Sequence, residues 1–217
     1  MISALAVGLT AGLLVQRGGD EPAAFDFRGA RLGMTLSEFR QLAYPDDRPL
    51  AQGTRVYCSD DPLPGAQVFQ LIRPNPLDRA IGVTKCAYFR RSLVAGHEMW
   101  DQMTVLAGDY PGLDHTYDFS TLDGSGEPVL FRTTMRLSCC FHAVRDGLQA
   151  RFGPPRPDDG SQNPPGFHIV SWERDDQHVS LTDLPHVGLS LSYRLHSVEQ
   201  AVEGRREQVV GRAIDRF

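Results

Sequence analysis

Apolar and polar positions change their period along this chain, and the changes mark its elements. Leu36, Phe39, Leu42 and Ala43 recur at helical spacing, with Thr35 and Glu38 placed as a capping box and Pro45 as a stop. The segments TRVYC, around Cys58, and TKCAYF, around Cys86, are rich in β-branched and aromatic residues and predict strands. Between them Pro62, Pro64, Pro74 and Pro76 exclude a central strand. Residues 98–110 fit either a strand or a helix.

The second half alternates more cleanly. Tyr117, Phe119 and Thr121 share one side of a strand, and Val129, Phe131, Thr133, Met135 and Leu137 share one side of the next. Asp123-Gly124-Ser125-Gly126 between them is a hairpin turn, and Arg132 and Arg136 point away from the apolar side. Phe141, Val144, Leu148 and Phe152 return to helical spacing, closed by Gly153 and Pro154-Pro155. HIVSWER and QHVSLTD, joined by Asp175-Asp176, then pair Trp172 with Val179 and Val170 with Leu181. A third strand, VGLSLSYRL, follows a three-residue loop at Leu184-Pro185-His186 that sets Leu189 against Leu181. The chain ends in a charged, largely exposed helix that Ser197 and Gln200 open as a second capping box.

The outline is helix then strands, twice. The expected fold is α+β: tandem helix-plus-antiparallel-sheet units, over 25–110 and 111–217, with a C-terminal helix. Residues 1–15 carry no charged side chain, and a polar Gly/Pro linker runs to residue 24. That run is shorter than the roughly 17–20 residues of a bilayer span and closer to the apolar core of a signal peptide. No basic side chain precedes it and no small-x-small cleavage site follows it. Residues 1–24 are therefore expected to be a signal peptide whose start lies upstream or an uncleaved membrane anchor; a buried helix is the alternative. The expected location is the periplasm, free or anchored to the inner membrane.

Composition narrows the function. The chain has 217 residues and a net charge of -5, and Lys85 is the one lysine among 22 basic residues. An acidic chain without a basic tail lacks the stripe that drives non-specific nucleic-acid binding, so no nucleic-acid partner is expected. Four cysteines allow three pairings. The expected bridge is Cys58–Cys86, between strands. Adjacent Cys139 and Cys140 point in different directions and are expected as buried thiols. The CxxC knuckles of a tetrathiolate metal site are absent, and no cofactor is implied.

Catalytic motifs are also missing: no phosphate-binding GxxxxGK[ST], no GxGxxG, no GxSxG and no HExxH occurs. Ser125 sits on a turn, not on a strand-to-helix elbow. The strongest constellation is His168 opposite Asp183 and Glu173 opposite His178, expected together on the outer sheet face. The four form either solvated cross-strand pairs or a binding face, which a hydrolase or metal-binding enzyme would also use.

Further residues carry a resemblance. Leu32-Gly33-Met34-Thr35-x-x-Glu38-Phe39, the strand cysteines, the helix end Leu148-x-x-x-Phe152-Gly153-Pro154-Pro155 and the Trp172 strand resemble small exported bacterial proteins. The units are similar to the outer-membrane assembly lipoprotein (SmpA/OmlA-like) domain and to the tandem fold of beta-lactamase inhibitory protein. A lipidated cysteine is lacking, since the first is Cys58. The resemblance implies a non-enzymatic protein with one sheet face under helices and one free to bind. The expected function is a non-catalytic envelope module that binds a protein partner, with inhibition of a periplasmic hydrolase as a special case.

Overall fold

A computed structural model describes residues 25–45, 53–62, 68, 71–107, 110–122, 124, 126–156 and 168–214. Residues 1–24, Pro64, Asp46-Asp47, Asp123 and Ser125 of the expected hairpin turn, and residues 157–167 lie outside them. Eleven strands and four helices of defined extent are described. The ribbon of β1 (Asp26–Phe27) and β2 (Ala30–Arg31) precedes α1 (Leu36–Arg40). Next come β3 (Thr54–Cys58), α2 (Pro76–Ala80), β4 (Thr84–Val94), β5 (His97–Met103) and β6 (Leu106–Ala107). The hairpin of β7 (Tyr110–Ser120) and β8 (Val129–Leu137) leads into α3 (Phe141–Phe152). The meander of β9 (His168–Arg174), β10 (Gln177–Leu184) and β11 (Gly188–Leu195) ends in α4 (His196–Ile214).

Of the ambiguous stretch 98–110, residues 98–103, 106–107 and 110 are thus strand. Apart from the β1–β2 ribbon, the strands form one antiparallel sheet in the order β3-β4-β7-β8-β11-β10-β9. At one end β5 takes over the edge of β4 that β7 occupies at the other, and β6 does the same for β7. The boundary drawn at 110/111 falls at the start of β7, and the sheet runs across it unbroken. Helices and antiparallel strands with a C-terminal helix make the fold α+β.

Both sheet faces carry helices, contrary to the expected open face. The β1–β2 ribbon, α1 and α3 cover one, where Phe25, Phe39, Tyr117, Leu130, Leu181 and Leu191 form the main core. On the other, Val198 and Val202 of α4 pack on Val83 and Phe131. A smaller cluster joins Val68 and Ile72 to Ala87 and Phe89. Helix α4 is therefore seated and not largely exposed. Its arginine doublet does the anchoring: Arg205 donates to Ser120 Oγ (2.7 Å) and to the carbonyls of Thr121 and Leu122 (2.9 and 3.3 Å). Arg206 pairs with the buried carboxylate of Asp78 in α2, Nε to Oδ1 at 2.8 Å.

Local departures from strict alternation have identifiable causes. A bulge between Asp118 and Phe119 sets Phe119 against Leu130. Val129 and Phe131 therefore pack with the α4 side and not with Met135 and Leu137. The capping box at α1 forms as expected. The one at α4 does not: Asp176, in the β9–β10 turn, accepts the Ser197 N–H (2.9 Å) and the Ser197 hydroxyl proton (2.5 Å). Gln200 instead contacts His196. The β9–β10 register is as read, but the β10–β11 loop is Pro185–Val187 and sets Leu191, not Leu189, against Leu181. A slip of two residues leaves every side chain on its face.

Candidate functional site

The four residues singled out on the meander form their two cross-strand pairs, His168 with Asp183 and Glu173 with His178. The pairs do not share a face. Strand side chains alternate, so His168 and Asp183 lie on the side of Trp172, Val179 and Leu181, beneath α3. The His168 ring lies 6.1 Å from that of Phe141. Glu173 and His178 lie on the α4 side. Glu173 is bridged by Arg156 at 2.5 Å. His178 is half-buried, and burial, then Arg194, lowers its pKa against the pull of Glu173 and Glu199. The expectation of one four-residue outer face is overturned by strand parity, because the pairs are separated by an odd number of residues. Among the described residues no group of three or more His, Cys, Asp and Glu side chains could hold a metal ion.

The cysteines divide. Cys58 and Cys86 are directly opposed on β3 and β4 and joined by a disulfide. Cys139 and Cys140 are also joined, to each other, and no free cysteine occurs among the described residues. That overturns their reading as buried thiols: Cys139 is exposed and Cys140 half-buried. The corner between β8 and α3 turns the two side chains together, since Cys140 sits in the left-handed region at φ +80.

A group that sequence reasoning missed lies at the heart of the main core. His115 is fully buried on β7, on the same side as Tyr117 two residues on. Its Nε2 meets Thr133 Oγ1 at 2.8 Å, and Thr133 in turn donates to the Thr116 carbonyl at 3.1 Å. The ring nitrogen therefore donates to Thr133, and Nδ1 accepts from the Tyr117 hydroxyl at 3.3 Å. Burial pushes the His115 pKa down to about 3, and pushes the Tyr117 phenol up. The alternation His115, Tyr117, Phe119 carried the signal.

Next to this group a cavity of about 260 Å³ opens between α3 and the β1–β2 turn. Phe27 separates the two, its ring 5.0 Å from His115 and 5.5 Å from Tyr193. Leu191 and Tyr193 of β11 form the floor, and Val144 and Leu148 of α3 line the wall. Gly147 also faces the space: outside its own helix, no heavy atom lies within 4 Å of where a Cβ would stand. The polar side chains lining it are Arg28, Arg151 and Tyr193. Arg151 donates to Asp26 at 2.8 Å and lies over the Phe152 ring. Burial raises the Tyr193 phenol's pKa, with Arg151 opposing and Asp26 adding, so the phenol stays protonated at neutral pH. Among the described residues the lining thus offers apolar contact, two guanidinium groups and a phenol.

A second polar group is structural. Beneath α4, Asp118 is buried and takes both Nε and a terminal nitrogen of Arg132 at 2.8 and 2.7 Å, with Lys85 at 3.9 Å. Glu199 of α4 bridges Arg132 and Arg194, each at 3.8 Å. The single lysine therefore belongs to a charge network that seats the helix. Among the described residues no helix is long and apolar enough to cross a membrane. No protein-family model, curated protein or solved structure matches this chain.

Proposed function

We propose that the protein is a non-catalytic, extracytoplasmic binding module of the bacterial cell envelope. The observation that carries the reading is the α3 cavity. Among the described residues it is lined mainly by apolar side chains and rimmed by Arg28 and Arg151, which suits binding of an apolar group beside an acceptor. Its partner is another envelope protein that inserts an apolar side chain beside a hydrogen-bond acceptor. The pairing of all the cysteines supports an oxidising compartment. Segment 1–24 serves as its signal or anchor. Inhibition of a hydrolase is one use such a surface would have. The reading also includes a two-unit origin of the fold. Helix α1 precedes the meander β3–β5 and α3 precedes the meander β9–β11, with both helices on one sheet face.

The test uses Gly147. In Gly147→Phe a bulky apolar side chain is added at a lining position where a Cβ meets no neighbour outside the helix. Wild type is expected to enhance the fluorescence of 1-N-phenylnaphthylamine, a neutral apolar probe, and Gly147→Phe to abolish the enhancement at unchanged near-ultraviolet circular dichroism. Equal enhancement by both proteins contradicts the cavity as the binding surface.

A further inference from the structure

The two disulfides do different physical work. Cys58 and Cys86 are 28 positions apart and wholly buried, so their bond closes a long loop inside the core. A disulfide stabilises chiefly by restricting the unfolded chain, and more so for longer loops. Cys139 and Cys140 are neighbours, so their bond closes no loop. It adds almost nothing as a staple, and it holds Cys140, which is not glycine, in a left-handed conformation that such residues disfavour. Cys139 stands exposed to solvent, and Cys140 is the N-cap of α3, its carbonyl accepting the first helical bond from Val144 N–H at 3.0 Å. The first turn of that 12-residue helix contains no acidic residue to offset its positive end.

We propose that Cys139–Cys140 is a thiol-exchange site whose substrate is a dithiol reductant. A thiolate of the reductant attacks the exposed Sγ of Cys139, forming a mixed disulfide. The Cys139–Cys140 bond breaks, and its electron pair leaves on Cys140 Sγ. That leaving thiolate forms on the N-cap residue of α3, at the positive end of the helix, which favours it. The reductant's second thiol, as thiolate, then attacks its own sulfur in the mixed disulfide and expels Cys139 thiolate. The protein gains two electrons and two protons, and the reductant becomes a disulfide. Reduction lets Cys140 leave its left-handed conformation and reshapes the start of α3, one turn before Val144. The inference stands apart from the proposed binding function, since it needs no occupant in the cavity.

The experiment treats the full oxidised chain with dithiothreitol, without denaturant, and quenches aliquots with iodoacetamide for peptide mapping. The expected result is alkylation of Cys139 and Cys140 at least about tenfold faster than of Cys58 and Cys86, with near-ultraviolet circular dichroism retained. The double variant Cys139→Ser/Cys140→Ser, carrying only the buried bridge, is expected to release no thiol in the same interval. Equal rates for the two pairs overturn the proposal. So does labelling of Cys139 or Cys140 before any reductant is added, or prompt thiol release from the double variant.

Discussion

His115 shows how one side chain can set the acid stability of the whole fold. Buried and neutral, it protonates only near pH 3 in the folded chain but near pH 6.5 when unfolded. The folded pKa is the lower one, so between those values the unfolded chain binds the extra proton and gains from acid. Stability is full above pH 6.5 and falls by about 1.4 kcal/mol per pH unit below it, for this group alone. His115→Gln keeps a donor and an acceptor for Thr133 and Tyr117. Urea titrations from pH 7 to pH 4 are expected to show a slope shallower by one proton in this variant. Two glycines give opposite outcomes. A Cβ on Gly188 would stand 2.5 Å from the Leu137 carbonyl at φ +103, so Gly188→Ala should destabilise by roughly 1–3 kcal/mol. Gly147 lies in the interior of α3 with open space before it, so Gly147→Ala should stabilise by about 0.5–1 kcal/mol. Chemical denaturation reads both. Local chemistry of this kind was only partly legible. The capping box at Thr35 needs four consecutive residues and was readable; the cap on Ser197 comes from Asp176, 21 positions away. The corner that brings Cys139 and Cys140 together depends on a left-handed residue that no local pattern announces.

Among the elements, the strand meander was the most readable because its apolar positions alternate without interruption and its first turn has two residues. That same alternation decides the fate of the candidate site. Trp172 and Val179 on the core side place His168 and Asp183 there too, and send Glu173 and His178 to the other side. The β7–β8 hairpin was harder, because the bulge at Asp118/Phe119 changes which side Phe131 faces without changing composition. Helix α4 is hard to read from sequence for a related reason: its charged residues are contacts. Arg206 meets Asp78, which is 3% exposed and also receives Asn75 Nδ2 at 2.8 Å. Arg206→Ala leaves that carboxylate buried and short of a cation, and should cost about 3 kcal/mol. In a double-mutant cycle with Asp78→Asn, the same pair should show a coupling energy of about 1–3 kcal/mol. No coupling would mean that the Arg206–Asp78 pair takes no part in seating α4.

At the scale of the molecule, one antiparallel sheet is covered on both faces, with one disulfide buried in its core and the other at an exposed corner. The Cys58–Cys86 bond joins the sheet's edge strand β3 to β4. Replacing both cysteines by alanine should lower stability by about 3–4 kcal/mol, the entropy of a loop of that length. That contribution is available only where thiols are oxidised, and such a compartment is the premise of the proposed binding role. The most direct test is therefore a non-reducing peptide map of the protein recovered from its native cells, alkylated before lysis. The account predicts that Cys58 and Cys86 are recovered as one linked peptide pair and escape alkylation. Recovery of both as alkylated thiols, in protein that is otherwise folded, would contradict it.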